Sequence, residues 1–465
     1  MPRRHRLALL SAQHFTQRSA RLARLSMAAL AAAAVVASAG IPVAHAAEVT
    51  DVLDAFDSAF KNPYDFSLRL RFGQDTRSAV IAREVRCIQE DHVGAEACPG
   101  GSQTLLSREL KYERTRRTMF IDARIGLHHD VELYATFPIV ISDSWNHDFI
   151  DNTVNRANSS IYPPNDRDAL IGVPYKNVGR SGFGDVTVGL KWSPYNYYRD
   201  TAHPTWVLGV DYTMPTGQPM EATNDGVGLG LHQLHFHTTI SRRALGIIEP
   251  FFSVSARMRF EAENSLFAKT RQAATQVRVT PGNQVGTAFG FEIIPWEDLK
   301  NDARVELEFG FSMDYIFRGR EYTEIWEALA SPDNPCQQGS QCSNTSHTKS
   351  DLDPATGQHA VSNGITDVEQ YGQFAGWAKL HYQPVKYFQI SAMLRYKLDT
   401  PHFITFGDYG KDLDGQGGVR QANSATPPKN EYSPVFLPGI DAPGGRLRLQ
   451  EASTWTFMLS LSGKL

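Results

Sequence analysis

Cysteine and long apolar runs are both scarce in this 465-residue chain, which holds four cysteines in all. Beyond residue 46 no run approaches the roughly twenty apolar residues that a membrane-spanning helix needs, which excludes a helical membrane protein. Acidic residues are missing from positions 1–46, where Arg3, Arg4, Arg6, Arg18, Arg21 and Arg24 precede an Ala-rich apolar stretch ending in Ala44-His45-Ala46. A basic start, a short apolar core and a small-x-small end predict a secretory signal peptide over 1–46. Its removal takes six of the 46 basic residues and none of the 50 acidic ones. The rest therefore lacks the basic excess that nucleic-acid binding requires, and no such partner is expected. No phosphate-cradling glycine loop, nucleophile–base pair or complete metal-ligand set is recognisable, so no cofactor and no catalysis are expected.

What is present is alternation. Across Ala303–Arg318, Val305, Leu307, Phe309, Phe311, Met313, Tyr315 and Phe317 fall on one phase. Glu306, Glu308, Gly310, Ser312, Asp314 and Arg318 fall on the other. An oily face and a charged face held over so long a stretch fit a strand that meets lipid on one side and a wet interior on the other. The same signal recurs at 64–72, 108–127, 131–141, 183–192, 205–214, 231–241, 248–260, 284–294, 303–318, 368–382, 387–399 and 447–463. The expected fold is therefore all-β, a transmembrane antiparallel up-and-down β-barrel of about twelve strands over residues 64–465. Short connections alternate with long ones (73–107, 142–182, 215–230, 261–283, 319–367 and 400–446), as periplasmic turns alternate with extracellular loops. The expected address is the outer membrane of a Gram-negative bacterium, with lipid and lipopolysaccharide as surroundings. Trp192, Trp206, Tyr212, Phe252, Phe260, Phe317, Tyr382, Phe388 and Tyr396 sit on the apolar phase near strand ends, where aromatic girdles belong. Before the first strand, Val49, Val52, Leu53, Phe56 and Phe60 recur at helical spacing, so 47–63 is expected to be a short helical segment, either a plug or a periplasmic rim.

The cysteines fall in two long loops of an exported chain, so local disulfides Cys87–Cys98 and Cys336–Cys342 are expected. The inward phase supplies candidate lumen residues: Arg69, Arg71, Asp122, Arg124, Glu132, Tyr134, Asp185, Lys191, Asp211, His235, His237, Arg257, Arg259, Glu292, Glu306, Glu308, Asp314, Tyr371, Trp377, Lys379, Arg395 and Lys397. Both charge signs are similarly represented, so composition predicts no ion preference. His232, His235 and His237 invite a metal reading, but only two share a strand face and no carboxylate adjoins them in sequence; polar lining is the expectation. Asp412 with Asp414, and Asp351 with Asp353, could offer oxygens to calcium but complete no ligand set. Arg108, Lys111, Arg114, Arg116 and Arg117 form a basic run at the outer end of the second strand, suited either to lipopolysaccharide phosphates or to solvent.

Three segments carry a resemblance. Gly182-Phe183-Gly184-Asp185-Val186-Thr187-Val188-Gly189-Leu190-Lys191-Trp192 precedes Val210-Asp211-Tyr212-Thr213-Met214-Pro215-Thr216-Gly217, and Gly228-Leu229-Gly230-Leu231-His232-Gln233-Leu234 follows. This order resembles the outer-membrane transporter family linked to meta-pathway phenol degradation, distantly like the long-chain fatty-acid channels. The resemblance implies a passive channel for small, aromatic or apolar solutes. The alternatives are a structural or surface-interaction barrel without transport and, more distantly, an outer-membrane phospholipase. The last rests on His359-Ala360-Val361-Ser362-Asn363-Gly364, similar to the H-x-S-N-G strand of that family but with His and Ser three apart rather than two.

Overall fold

A computed structural model describes residues 48–53, 66–86, 104–161, 170–197, 199–222, 224–244, 246–261, 279–298, 301, 303–330, 349–352, 359–361, 364–385, 387–410 and 436–464. All four cysteines, the 1–46 segment, most of the 47–63 segment, Ser362, Asp353, Asp412 and Asp414 lie outside them.

Twelve long strands form one closed sheet. In chain order they are β1 (Phe66–Arg86), β2 (Thr104–His128), β3 (Val131–Phe149), β4 (Thr187–Tyr195), β5 (Thr205–Thr213) and β6 (Leu231–Ser241). Then come β7 (Ile248–Glu261), β8 (Gln284–Asp298), β9 (Ala303–Ile316), β10 (Tyr371–Val385), β11 (Phe388–Asp399) and β12 (Leu447–Lys464). Each pairs antiparallel with its chain neighbours, and β12 returns to β1 from Ser67↔Lys464 to Arg83↔Leu447. Closure leaves no edge with unpaired backbone groups, the condition for strands to stand in lipid. The chain is thus a transmembrane β-barrel.

The outward residues are apolar and uncovered. Leu68, Leu70 and Phe72 of β1 are exposed, as are Trp455, Phe457, Leu459 and Leu461 of β12 beside them. Five short turns lie at one end and tie to one another. Asp130, in the left-handed region at φ 55°, accepts from Asn196 at 2.8 Å and pairs with Arg199 at 3.1 Å. Arg243 of the third turn reaches Glu297, near the end of β8, at 2.9 Å.

Three strands run much further than alternation predicts. β1 continues from 72 to 86, β2 starts at 104 rather than 108, and β3 continues from 141 to 149. Beyond the lipid an outward face no longer has to be oily, so the ladder persists while the pattern fades. Inside this extension the long loops fold together into a cap. Ile161, Leu170 and Val173, then Met220, then Ile325, Trp326 and Leu329, then Ile404, Leu437 and Ile440 come from four different loops. They pack on Ala79, Ile81, Leu110, Tyr112, Trp145, Leu447 and Leu449 of the wall. Short helices at Trp326–Ala330 and Pro438–Asp441 bring these side chains down onto the mouth. Arg180 is fully buried here, 5.5 Å over the Trp145 ring and 4.9 Å over Trp326, and 3.3 Å from Glu327. Its Nη atoms donate to the carbonyls of Gly226 and Glu221, each at 2.9 Å. Loop carbonyls and two indole faces replace the water this guanidinium loses.

Candidate functional site: a lumen between a plug and a cap

Residues 48–53 enter the barrel at the short-turn end and bond to strands around the wall. Arg69 of β1 donates to Glu48 at 2.7 Å and Gln389 of β11 donates to its other oxygen at 3.1 Å. The Thr50 and Ser241 hydroxyls share a hydrogen bond of 2.7 Å, and the Glu48 amide reaches Glu292 at 3.3 Å. Arg124 grips Glu132 with two bonds of 2.9 and 2.7 Å and reaches Asp51 at 3.2 Å, while the Leu53 amide donates to Glu132 at 2.9 Å. Glu48 to Thr50 form a 3-10 turn, the only helical part of the 47–63 segment among the described residues. Burial alone would raise the Glu48 pKa, but the Arg69 guanidinium holds it well below the usual carboxylate range.

Between this segment and the cap lies a cavity of about 710 Å³. Eleven of the candidates read from the sequence line it: Arg69, His235, Arg257, Arg259, Glu308, Asp314, Tyr371, Trp377, Lys379, Arg395 and Lys397. Between them stand neutral polar residues that a search for charge passes over, Ser253, Ser255, Gln284, Thr287, Ser312 and Gln373. All but Thr287 sit on the inward phase of their strands, the signal that could have found them. Glu48 and Glu321 also reach the cavity, from the N-terminal segment and an outer loop. A second cavity of about 420 Å³ adjoins on the cap side and shares Tyr371, Gln373, Arg395 and Lys397. It adds Asp75, Arg77, Arg114, Arg116, Glu324 and Asp399. Arg77 pairs with Glu324 and Asp399, both at 2.7 Å.

The other candidates take different places. Arg124, Glu132, Glu292 and Glu306 are buried around the N-terminal segment, and Lys191 approaches Glu132 at 3.8 Å. Glu292 stands directly across from Glu249 on one side and Glu308 on the other, a row of carboxylates that like-charge repulsion disfavours. Arg71 is taken up by Asp122 in a two-bond pair of 2.6 and 2.8 Å. Tyr134 hydrogen-bonds Asp211, which also accepts from His235 at 2.9 Å and lies 3.8 Å from His237. This cluster fills the space over Gly189, where a Cβ would stand 2.3 Å from the Tyr134 ring. The absence of a carboxylate beside the histidines is thus corrected. Asp211 sits 24 residues from His235 in sequence but directly across from it in register. No metal-holding group of three or more such residues occurs among the described residues.

Two further expectations need revision. Asp185 does not belong to a strand wall; it lies before β4 and accepts the amides of Gly217 and Leu229 at 2.9 and 3.0 Å, tying two outer connections together. The basic run of β2 splits by strand phase. Arg114 and Arg116 line the second cavity, Arg114 holding Asp143 with bonds of 2.7 and 2.5 Å. Arg108, Lys111 and Arg117 are engaged by Glu451, Glu113 and Gln74 at 2.8, 2.5 and 3.0 Å.

No family model and no curated relative matches the chain. Solved structures do. An outer-membrane channel from Pseudomonas putida F1 is 9% identical over 87% of this chain and 96% of that one, with a TM-score of 0.41. A Pseudomonas aeruginosa FadL homologue is 10% identical over 89% and 94%, TM-score 0.31. The outer-membrane protease OmpT from Escherichia coli is 7% identical over 87% and 98%, TM-score 0.30. These similarities extend to barrel architecture only.

Proposed function

We propose that the chain is an outer-membrane channel for the passive passage of small solutes with an aromatic or apolar body. The observation that carries this reading is the 710 Å³ cavity inside the closed barrel, polar in its lining yet carrying Trp377 and Tyr371. That volume lies in the range of about 300–1,000 Å³ usual for small-molecule sites. The resemblance of residues 182–234 to the phenol-pathway transporters supports an aromatic cargo. The basic, Ala-rich start supports export to the outer membrane, where the apolar belt meets lipid and lipopolysaccharide.

A structural barrel without transport is the second reading. It is favoured by one observation: the N-terminal segment and the four-loop cap close on the lumen from opposite ends. A phospholipase reading has no geometry to rest on, since Ser362 lies outside the described residues. Planar bilayers separate the first two. The channel reading expects discrete current steps in KCl and, in liposomes, faster uptake of hydroxylated aromatic solutes than without protein. Bilayers that stay silent and liposomes that match protein-free ones would hand the case to the structural barrel.

A further inference from the structure

Pairing in the lumen is uneven, and the unevenness has a sign. Most carboxylates that line the two cavities are engaged. Glu48 is held by Arg69 at 2.7 Å, and Glu308 accepts the Trp377 indole at 2.6 Å with Lys379 at 3.8 Å. Glu321 faces Arg259 at 3.6 Å, and Arg77 takes both Glu324 and Asp399. Asp75 stands in register with Arg116. Among the described residues this leaves Asp75 and Asp314 as the lining acids in no salt bridge, Asp314 acting on Arg257 only at longer range.

Against them stand Arg257, Arg395 and Lys397, which line the same cavity and make no salt bridge with a described residue; Asp314 and Asp211 act on Arg257, and Asp399 and Asp75 on Lys397, only at longer range. The Arg395 Nε is enclosed and has no hydrogen-bond partner. Arg395 and Lys397 project from one face of β11, about 7 Å apart at the strand rise of roughly 3.4 Å per residue. They stand where the two cavities meet, so a solute crossing from one to the other passes both. Low-dielectric walls focus such a field and enrich counter-ions between them.

An aromatic surface stands next to this charge. Trp377 lies directly across from Arg395 in the β10–β11 register. Its ring is fixed by the bond to Glu308 and by stacking on Phe251 at 6.4 Å. Tyr371 lines the same cavity, stacked on His402 at 3.9 Å. A planar ring laid on this surface carries a carboxylate within reach of a guanidinium that has donors to spare, a pairing whose geometry suits two parallel bonds.

We infer that the solute class of this lumen is the small aromatic carboxylate, held by Arg395, Lys397 and Arg257 with its ring on Trp377. This deepens the channel reading and rests on it. The even count of charges in the sequence hid the preference, because opposite charges cancel only where the register lets them meet.

The test is electrical and uses the full-length protein in planar bilayers. Under a KCl gradient the reversal potential takes the sign of anion preference. Benzoate then lowers the chloride current at concentrations at least tenfold below those at which acetate or benzyl alcohol does. Replacing Arg395→Gln with Lys397→Gln raises the benzoate concentration needed about tenfold and leaves the benzyl alcohol response unchanged. The solute comparison on the unaltered protein stands even if that variant does not assemble. A conducting channel that prefers cations, or in which benzoate acts no better than acetate or benzyl alcohol, overturns the inference and leaves the channel intact. A protein that passes no current removes the channel reading itself, and the inference with it.

Discussion

Trp377 lies flat over Gly310, the residue directly across from it on β9. A Cβ at position 310 would stand 2.1 Å from the indole Cζ2. The missing side chain on one strand is what lets the large one on the next lie along the wall instead of crossing the lumen. Glu308, two residues from Gly310 on the same face, then receives the indole N–H.

Gly310→Ala is therefore expected to push Trp377 into the cavity. Overpacking of this kind costs about 1–3 kcal/mol. The urea midpoint of the folded barrel on unheated gels should fall, and single-channel current should fall with it. Unchanged current in a folded Gly310→Ala barrel would show that Trp377 does not border the path.

The cap makes a separate expectation. Arg180 joins Trp145 of β3 to Trp326 and Glu327 of an outer loop. Removing one partner of a buried ion pair costs about 3–5 kcal/mol, because the other charge stays behind without compensation. Arg180→Ala should free the 317–330 segment for proteolysis while the barrel itself stays folded, running differently on gels before and after boiling because a closed sheet has no edge from which to fray. Wild-type resistance to protease in that segment would count against a cap built on this residue.

Much of this was legible in the chain, and the part that was not has a physical reason. Period-two alternation is imposed by lipid, so every strand could be found where it crosses lipid, as in Ala303–Ile316. Past the membrane no such pressure acts, and Gln74–Arg86 reads as loop although it stays paired to β12 and β2. The cap residues Trp326, Leu329 and Ile440 carry no strand period, because side chains from several loops bury one another there. The face a strand residue takes follows from the same period, although Asp185, read as lumen lining, lies before its strand; partnership does not follow from it. Arg71 with Asp122, or His235 with Asp211, depends on which residues stand opposite, and register is fixed only when the strands pair.

The cap also carries a pH dependence. Asp441 ends the short helix Pro438–Asp441 and is buried there, which pushes its pKa up to about 6, although the amides of Leu437 and Gly407 donate to it at 2.8 and 2.9 Å. A carboxyl raised on folding favours the closed form when protonated. That contribution is fully present below the unfolded value near 3.9 and is lost as pH rises through about 6. Hydrogen exchange of the 436–446 amides, corrected for the intrinsic rate, should be slower at pH 4 than at pH 7, by up to about 3 kcal/mol of opening free energy. Asp441→Asn should flatten that dependence. A profile that survives the substitution would assign it to another group, Asp367 being the nearest acid that also shifts upward.

The N-terminal segment should behave in the opposite sense. Glu48 is drawn below the usual range by Arg69, so its contribution is present above the unfolded carboxylate value and fades only as pH falls below it. Mild acid between pH 7 and 5 thus leaves the segment seated while it tightens the cap. Cutting the contacts directly is the stronger test. Glu48→Ala with Asp51→Ala removes the carboxylates facing Arg69 and Arg124, whose remaining partner on the wall is Glu132. The cavity residue Arg69 then gains freedom at the short-turn mouth, and single-channel conductance should rise at least twofold at pH 7 while the barrel still runs differently on gels before and after boiling. If conductance stays at the wild-type level, residues 48–53 are not what narrows the lumen, and the closure at the cap governs passage alone.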